Sequence, residues 1–231
     1  MTNQITATLI DSMGSDLSVV NAARVSFGKK SAWEQHSADV ASYRVLNTLS
    51  ERDTKLIKYL ASHKHLSPFG HCFASFHVRA PIFVARQLVK HKFLRWNEIS
   101  RRYVDDEPEF YVPEVWRGRS ADKKQGSEGE VKLGILDTAI VSDSPYDALS
   151  AYKALLKSGV APEMARMTLP QSTLTEWYWS GSLDAFADMC RLRCASDTQY
   201  ETRVVADQIN TSMFKLFPVS WDALMGSESL G

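Results

Sequence analysis

The spacing of apolar residues along the chain predicts short strands that alternate with amphipathic helices. Residues 5–10, "ITATLI", and residues 71–78, "HCFASFHV", are rich in β-branched and aromatic side chains and are typical of strands. A third run of this kind, "STLTEWYW", covers residues 172–179. Apolar side chains recur at helical spacing over residues 16–27 and 51–63. The pattern therefore predicts a mixture of strands and helices.

A further helix is predicted from Pro81, because proline is tolerated in the first turn of a helix. Its apolar stripe is formed by Ile82, Ala85, Val89 and Phe93. On this helix Gln87, Lys90 and His91 are expected to be near neighbours at three- and four-residue spacing. The stripe and the polar group lead directly into a basic stretch that starts at Lys90.

Capping signals in the second half of the chain predict several helix boundaries. Residues 144–159 favour a helix, with Ser144 as N-cap, Pro145 just inside it and Gly159 just beyond its end. Other helices are expected to begin near Pro162, Ser182 and Ser196. Ser196 and Gln199 match a capping box, which places a helix boundary just after Arg193.

Residues 117–143 lack the periodicity of the flanking segments. They are polar and contain glycine, which predicts an exposed surface loop and not a core element. Nothing in this stretch requires it to be a linker between domains. A single domain over residues 1–231 is therefore expected, with 117–143 as an inserted loop.

Composition and charge limit the classes of function. The 231 residues include 27 Lys and Arg against 27 Asp and Glu, so no net charge draws the whole protein to nucleic acid or to an anionic membrane. No run approaches the roughly 20 apolar residues of a membrane span, and the first residues do not resemble a signal peptide. The three cysteines are odd in number, which fits a reducing compartment better than a disulfide framework. A soluble, cytoplasmic protein is expected.

The basic stretch 90–103, "KHKFLRWNEISRRY", has three interpretations. If its second half is helical, Glu98 pairs with the arginines that follow it in an ordinary surface arrangement. If that half is extended, Glu98, Ser100 and Arg102 share one face and offer an acceptor, a hydroxyl and a guanidinium to one ligand. The mixture of cations with Trp96 also permits a nucleic-acid surface, although the neutral composition argues against an extended groove.

Histidines and cysteines follow none of the usual metal-binding spacings, so no metal site is expected. His65 and Ser67 precede a turn between a helix and a strand, where polar side chains are suited to a site. Cys190 and Cys194 lie near arginines that could lower the pKa of a thiol. No histidine lies near either cysteine in sequence, which favours structural cysteines. Glycine-rich phosphate loops are also absent, so a bound nucleotide would depend on side chains.

Several segments together resemble the flavin-dependent thymidylate synthases. The stretch "RQLVKHKFLRWNEISRRY" is similar to the signature of that family, a glutamine followed by Arg-His-Arg and then Ser-x-Asn-Glu-x-Ser-x-Arg-Tyr. The similarity runs in order over roughly residues 13 to 215. Its further segments are "MGSDLSVVNAARVSF", "SPFGHCFASFHVRAPIFVARQ", "EFYVP", "SGVAPEMARMTLP" and "LRCASDTQYE".

The resemblance implies an α/β (α+β) fold with a central, mostly antiparallel sheet and helices, assembled as a homotetramer with active sites between subunits. It implies FAD as cofactor and conversion of dUMP to dTMP in nucleotide biosynthesis. The co-substrates would be 5,10-methylenetetrahydrofolate as carbon donor and NADPH as reductant. No cysteine nucleophile, nucleic acid or membrane is implied.

The resemblance also implies roles for individual residues. Catalytic positions correspond to Arg193 and Ser100, and Arg193 would lie beside N3 of the uracil ring. Positions that hold dUMP correspond to Gln87, Lys90, Glu98, Ser100, Arg102, Arg166 and Arg193. Positions that contact FAD correspond to His65, Ser67, Lys90, His91, Lys92, Glu98 and Asp188.

The chain departs from the family pattern at several of these positions. Lys90 and Lys92 replace arginines, which exchanges planar guanidinium forks for point charges. Arg95 replaces the first signature serine, and Asp188 and Asp197 stand where better-known members have asparagine and histidine. Two rival functions follow: a flavoprotein that stops at a hydroxymethyl product or prefers dCMP, and a non-catalytic nucleic-acid binder.

Overall fold

The computed structural model describes residues 5–38, 44–103, 106–120 and 126–226. Its strands are β1 Thr6–Met13, β2 Glu34–Ala38, β3 Arg44–Thr48, β4 Phe73–Pro81, β5 Leu94–Glu98, β6 Arg117–Arg119, β7 Ser127–Glu130 and β8 Leu174–Ser182. Within these residues, four strands form one sheet in the order β1-β4-β8-β5, while β2 with β3 and β6 with β7 form two-stranded ribbons. All of these named pairings are antiparallel. The expectation of a mostly antiparallel central sheet is confirmed.

The described helices lie between and after these strands along the chain. They are α1 Asp16–Arg24, α2 Glu51–Ser62, α3 Ile82–Leu88, α4 Ile135–Lys157, α5 Pro162–Ala165, α6 Leu183–Arg193, α7 Tyr200–Leu216 and α8 Pro218–Met225. Helices α6 and α7 pack against the sheet, and α8 packs against α2. The predicted mixture of strands and helices is therefore confirmed, and the homotetramer remains a prediction.

The core lies between one face of the sheet and these helices. Alternate residues of β4 are buried because successive side chains of a strand point to opposite faces, and Phe76 and Val78 are fully buried. Trp179 on β8 lies with its ring centroid 5.7 Å from that of Phe186 on α6. Each large side chain buried in this way stabilises the fold by roughly 1.5–3 kcal/mol. The same contacts fix the position of α6 on the sheet.

Gly181 on β8 permits the close approach of β5. A β-carbon at this position would collide with the side chain of Leu94 and would lie 3.1 Å from the carbonyl oxygen of Phe93. Phe93 itself has a φ of +64°, in the left-handed region. The chain therefore reverses sharply between α3 and β5, and this reversal carries the basic residues of the signature.

The predicted helix from Pro81 is shorter than expected. Helix α3 ends at Leu88, and the residues that it buries are Val84, Ala85 and Leu88. Val89 and Phe93, which were predicted to continue the apolar stripe, are 49% and 83% exposed. The apolar spacing suggested a longer helix, but pairing of β5 with β8 requires the chain to turn back before residue 94. Lys90 and His91 therefore lie in that turn and not on the helix with Gln87.

The prediction of an irregular loop over 117–143 is wrong in its described part. Strands β6 and β7 form a hairpin, and α4 begins at Ile135, not near Ser144. Pro145 lies inside α4, although a Ser-Pro pair is typical of a helix start. The predicted exposure is confirmed for most of the described residues, and Ile135, for example, is 94% exposed, but Ser120 is buried.

One further boundary is corrected and another is confirmed. Helix α7 begins at Tyr200 with Gln199 as N-cap, so Ser196 does not start a capping box. The side chain of Gln199 is used elsewhere, because its amide contacts Gln87 and Glu201. Helix α6 ends at Arg193, as the sequence predicted.

Candidate active site

Three predicted site residues meet where α6 ends beside α3. The half-buried guanidinium of Arg193 donates from Nε to Nε2 of His91 at 2.9 Å. It also donates from Nη2 to the backbone carbonyl of Gln87 at 3.5 Å. We call Gln87, His91 and Arg193 the α6 cluster. The turn after α3 is what brings His91 back toward α6.

The protonation state of His91 follows from its surroundings. Burial, and then the Arg193 cation, lower the pKa of His91 from 6.5 to about 4, against an opposing effect of Asp188. The imidazole is therefore neutral near pH 7 and accepts the hydrogen bond of Arg193. Burial also lowers the pKa of Arg193, but an arginine remains a cation at any working pH. The cluster thus holds one fixed positive charge, and the guanidinium of Arg193 has further N–H groups that these two hydrogen bonds do not use.

The side-chain amide of Gln87 is held from both ends. Its Nε2 donates to Oε1 of Gln199, and its Oε1 accepts from the hydroxyl of Thr202 at 3.3 Å. Thr202 is fully buried. An amide fixed in this way is suited to recognising the donor and acceptor pattern of a heterocyclic base.

A small cavity of about 490 Å³ lies beside Gln199 and carries a second charge network. Its buried carboxylate, Glu201, accepts from Arg117 of β6 and from the hydroxyl of Tyr111 at 3.3 Å. Burial and the nearby Glu201 raise the pKa of Tyr111 far above its ordinary value, so its hydroxyl stays protonated and donates. Sequence reasoning missed this network, because its members are distant in the chain.

The basic stretch is extended only as far as Glu98, where β5 ends. Residues 100–103 form a turn in which the N–H of Tyr103 donates to the carbonyl oxygen of Ser100 at 3.0 Å, so the extended interpretation is confirmed for Glu98 and wrong for Arg102. Oε1 of Glu98 accepts from the hydroxyl of Thr175 at 2.7 Å, and its Oε2 accepts from Nε1 of Trp96 at 3.0 Å. Ser100 accepts from the backbone and from Nε of Arg102, at 3.4 and 3.3 Å. The helical interpretation is wrong for Glu98, which is a strand residue. Glu98, Ser100 and Arg102 all lie on the surface at the end of this edge strand.

Lys90, Lys92 and Asp188 are exposed around the α6 cluster. The two lysines flank His91 in the turn after α3. Asp188 on α6 forms an ion pair with Arg191, three residues along the same helix. Three predicted flavin contacts therefore surround the cluster at the surface, with charges of both signs.

His65 and Ser67 lie in a different place. They line an open cleft of about 1190 Å³ between α1 and α2. Cations that the sequence analysis did not single out also line it: Arg24, Lys29, Arg52 and Lys55. We call this region the basic cleft. Its cations come from separate segments of ordinary appearance, so no local sequence pattern marks them.

Arg166 belongs to a third region. It is exposed in the turn after α5 and donates from Nε to the carbonyl of Glu163 at 3.2 Å. The neighbouring Ala165 packs with Leu149 and Tyr152 in a small apolar cluster that is separate from the main core. Among the described residues, no hydrogen bond or ion pair joins Arg166, His65 or Ser67 to Arg193. One chain therefore does not bring the predicted site residues together.

Two of the three cysteines, Cys72 and Cys190, are buried thiols. Burial raises the pKa of Cys72 to about 11 and that of Cys190 well above its ordinary value. Thiols of this kind are protonated and unreactive near pH 7. In the described parts of the chain, no cluster of histidine, cysteine and carboxylate side chains is suited to hold a metal ion. None of the helices in those parts is long and apolar enough to cross a membrane.

A fixed guanidinium beside an oriented amide, together with a separate cation-lined cleft, is typical of the class of protein that binds anionic, nitrogen-rich ligands such as nucleotides. The chain belongs to the thymidylate synthase complementing protein family, whose profile matches residues 8–219. It is 40% identical over 215 residues to the flavin-dependent thymidylate synthase of Thermus thermophilus, an alignment that covers 93% of this chain and 73% of that protein. The protein of that name from Kosmotoga olearia is 38% identical, with 94% and 88% covered.

A solved structure has a similar fold. The UMP/dUMP methylase PolB from Streptomyces cacaoi, bound with 5-Br dUMP, superposes with a TM-score of 0.78 and is 34% identical. The match covers 95% of this chain and 94% of that one. The family resemblance read from the signature is confirmed by these comparisons.

Proposed function

We propose that this protein makes dTMP from dUMP by flavin-dependent reductive methylation, with 5,10-methylenetetrahydrofolate as carbon donor and NADPH as reductant. The observation that carries the proposal is the α6 cluster, in which Arg193 is a fixed cation beside the oriented amide of Gln87. The curated relatives cited above carry the name of this activity. The protein acts as a methyltransferase on a pyrimidine nucleotide.

Arg193 activates the uracil ring. Carbon 5 of uracil is a weak nucleophile, and it becomes stronger when negative charge develops on the ring and its N3. A guanidinium beside N3 stabilises that charge, and in a half-buried site the stabilisation is larger than in water. The neutral His91 fixes the direction of the guanidinium by accepting from Nε. Catalysis by Arg193 thus depends on charge and orientation and needs no proton transfer from the arginine.

The remaining nucleotide contacts come from an amide that recognises the base and from charged or hydroxyl side chains around it. Gln87 reads the base, while Arg102 and Arg166 bind the phosphate or the base oxygens as charged forks. Ser100 supplies a hydroxyl close to the reacting ring, and Lys90 and Glu98 complete the set. Arg166 lies beside the separate apolar cluster of Ala165, so we include the homotetramer in the proposal. A second subunit would supply the contacts that one chain leaves apart.

FAD fits the donor set of the basic cleft. The cleft is larger than most ligand pockets, which occupy roughly 300–1,000 Å³, and it combines cations for a pyrophosphate with apolar walls for a ring system. His65 and Ser67 would hold the cofactor there, with Lys90, His91, Lys92, Glu98 and Asp188 contributing from a neighbouring subunit. When bound, FAD supplies the hydride chemistry that side chains cannot provide. The neutral His91 and the exposed lysines are compatible with such a contact.

A second candidate function differs from the first in the nucleotide that is methylated. The similar methylase from Streptomyces cacaoi is described as acting on UMP as well as dUMP. Methylation of UMP is therefore a second candidate. Formation of a hydroxymethyl product, or preference for dCMP, are the other enzymatic rivals. The mass of the product formed from dUMP, UMP and dCMP separates all of these.

Purified protein provides the direct test. We expect flavin absorbance after incubation with FAD, NADPH oxidation that depends on dUMP, and a product with the mass of dTMP. A protein that stays free of flavin in excess FAD and forms no dTMP would contradict the proposal. The nucleic-acid binder predicts instead a strongly salt-dependent affinity for DNA or RNA that dUMP does not compete.

A further inference from the structure

The β6–β7 hairpin contacts the part of the chain that begins α7. Gly126, just before β7, has a φ of +88°, and a β-carbon there would lie 3.0 Å from the carbonyl oxygen of Asp197. Arg117 of β6 donates from Nε to Ser127 of β7 at 3.0 Å and stacks over the ring of Tyr200, 4.6 Å from its centroid. The hairpin therefore packs on the connection between α6 and α7.

Arg117 also ends a continuous path of side-chain hydrogen bonds. Its Nη2 donates to Oε1 of Glu201, whose side chain is only 5% exposed. Oε2 of Glu201 accepts from Nε2 of Gln199 at 3.3 Å. Oε1 of Gln199 accepts in turn from Nε2 of Gln87. Each link fixes the direction of the next, because a carboxylate only accepts and each amide must present its N–H group to the acceptor.

The consequence lies at Gln87. A free amide can rotate by half a turn and exchange its donor for its acceptor, which would reverse the pattern that it presents to a base. Here Glu201 accepts from Gln199 and so selects its orientation, while Arg117 holds that carboxylate in place together with Tyr111. Gln199 and Thr202 then select one orientation of Gln87. We propose that Arg117 is a positioning residue for nucleotide binding, which acts through Glu201 and Gln199 on the amide of Gln87. This inference rests on the proposed function, since Gln87 is taken to contact dUMP.

The first test compares Arg117→Met with the wild type. Methionine keeps much of the length of the side chain but removes its donors, so the dissociation constant for dUMP should rise by about five- to tenfold, the range expected for loss of one oriented hydrogen bond. The KM for dUMP should rise in parallel while kcat is retained, because binding is lost without loss of transition-state contacts. Arg119→Met, an exposed arginine on the same strand, is the matched control and should bind dUMP normally.

A double-mutant cycle separates positioning from general damage to the fold. In a Gln87→Ala background, Arg117→Met should have no further effect on dUMP affinity, because the amide through which it acts is gone. Full additivity of the two losses would overturn the inference. If Arg117→Met does not fold, Arg117→Lys keeps a cation opposite Glu201 and completes the same cycle with a smaller loss.

The outcomes distinguish this inference from the function on which it rests. A wild-type protein that neither binds dUMP nor forms dTMP removes both. A wild-type enzyme that forms dTMP, together with an Arg117→Met variant of unchanged dUMP affinity, removes the inference alone. Direct titration with dUMP measures the affinity independently of turnover.

Discussion

The α6 cluster and the basic cleft present their positive charges in different environments. In the α6 cluster, Arg193 is half-buried and already hydrogen-bonded to protein groups on two sides. In the basic cleft, Arg52 and Lys55 are exposed on α2. A preorganised cation contributes strongly and specifically because little reorganisation is needed, whereas exposed cations are screened by solvent and salt. We therefore expect the cluster to determine the chemistry and the cleft to determine cofactor affinity.

Replacement of Arg193 should have the largest effect. Arg193→Ala is expected to reduce kcat for dTMP formation by at least about 10²–10³-fold, the cost of removing one preorganised group that stabilises developing charge. Flavin content should be unchanged, because His65 and Ser67 lie in the separate cleft. Turnover and flavin absorbance are measured on the same sample. Arg86→Ala, an exposed arginine on α3, serves as control, and near-normal turnover of Arg193→Ala would remove the catalytic assignment.

The half-buried His91 should make stability depend on pH. Because the pKa of His91 is lowered to about 4 in the folded protein, the unfolded chain binds more protons between about pH 4 and pH 6.5. The free energy of unfolding should therefore fall as the pH is lowered through this window and become independent of His91 below it. Urea denaturation at several pH values measures this.

The matched variants for that experiment are His91→Gln and His71→Gln. Glutamine has no group that titrates in the window, so His91→Gln should flatten the pH dependence. His71 is exposed, so its replacement should leave the dependence as in the wild type. If His91→Gln retains the full slope, another group is responsible and the neutral imidazole is not established.

Gly181 offers a way to disturb the α6 cluster from the sheet. Gly181→Ala should lower the free energy of unfolding by about 1–3 kcal/mol, the usual cost of overpacking, because its β-carbon collides with Leu94. The displaced β5 also moves the turn that carries Lys90, His91 and Lys92, so the affinities for dUMP and for FAD should both fall. Gly70→Ala is the control, since a β-carbon there meets no atom within 4 Å. Equal stability of the two variants would contradict the packing argument.

The smallest effect is expected in the basic cleft. Lys55→Ala should weaken FAD binding by only about two- to fivefold at low salt, because exposed charges contribute little each. The difference from wild type should shrink as salt is raised toward 1 M, where the screening length is about 3 Å. Lys58, which is exposed on the same helix outside the cleft lining, provides the control. Fluorescence titration with FAD measures both, and an effect that persists at high salt would show a buried contact instead.

Regular elements with strong local signals were predictable. The alternation of β4 and β8 and the spacing of α2 were visible because each element presents one face to a common core. The end of α6 at Arg193 was also placed correctly. The hairpin and the first turns of α4 were missed because their described residues are almost all exposed, and an exposed element has no apolar face to mark its period. The turn after α3 was missed because the pairing of β5 with β8 overrides the local apolar pattern.

The sequence by itself determined the kinds of residue available for the chemistry: the signature, its neighbouring histidine and arginines, and the family that they resemble. Tertiary structure decided which of them meet. Arg193 and His91 are separated by a long stretch of chain, yet a hydrogen bond joins them, and burial together with the Arg193 charge lowers the pKa of the imidazole. His65 and Arg166, which the family resemblance also implied as site residues, lie elsewhere. The physical reason is that a pKa or an amide orientation depends on burial and on partners distant in sequence, which no local spacing records.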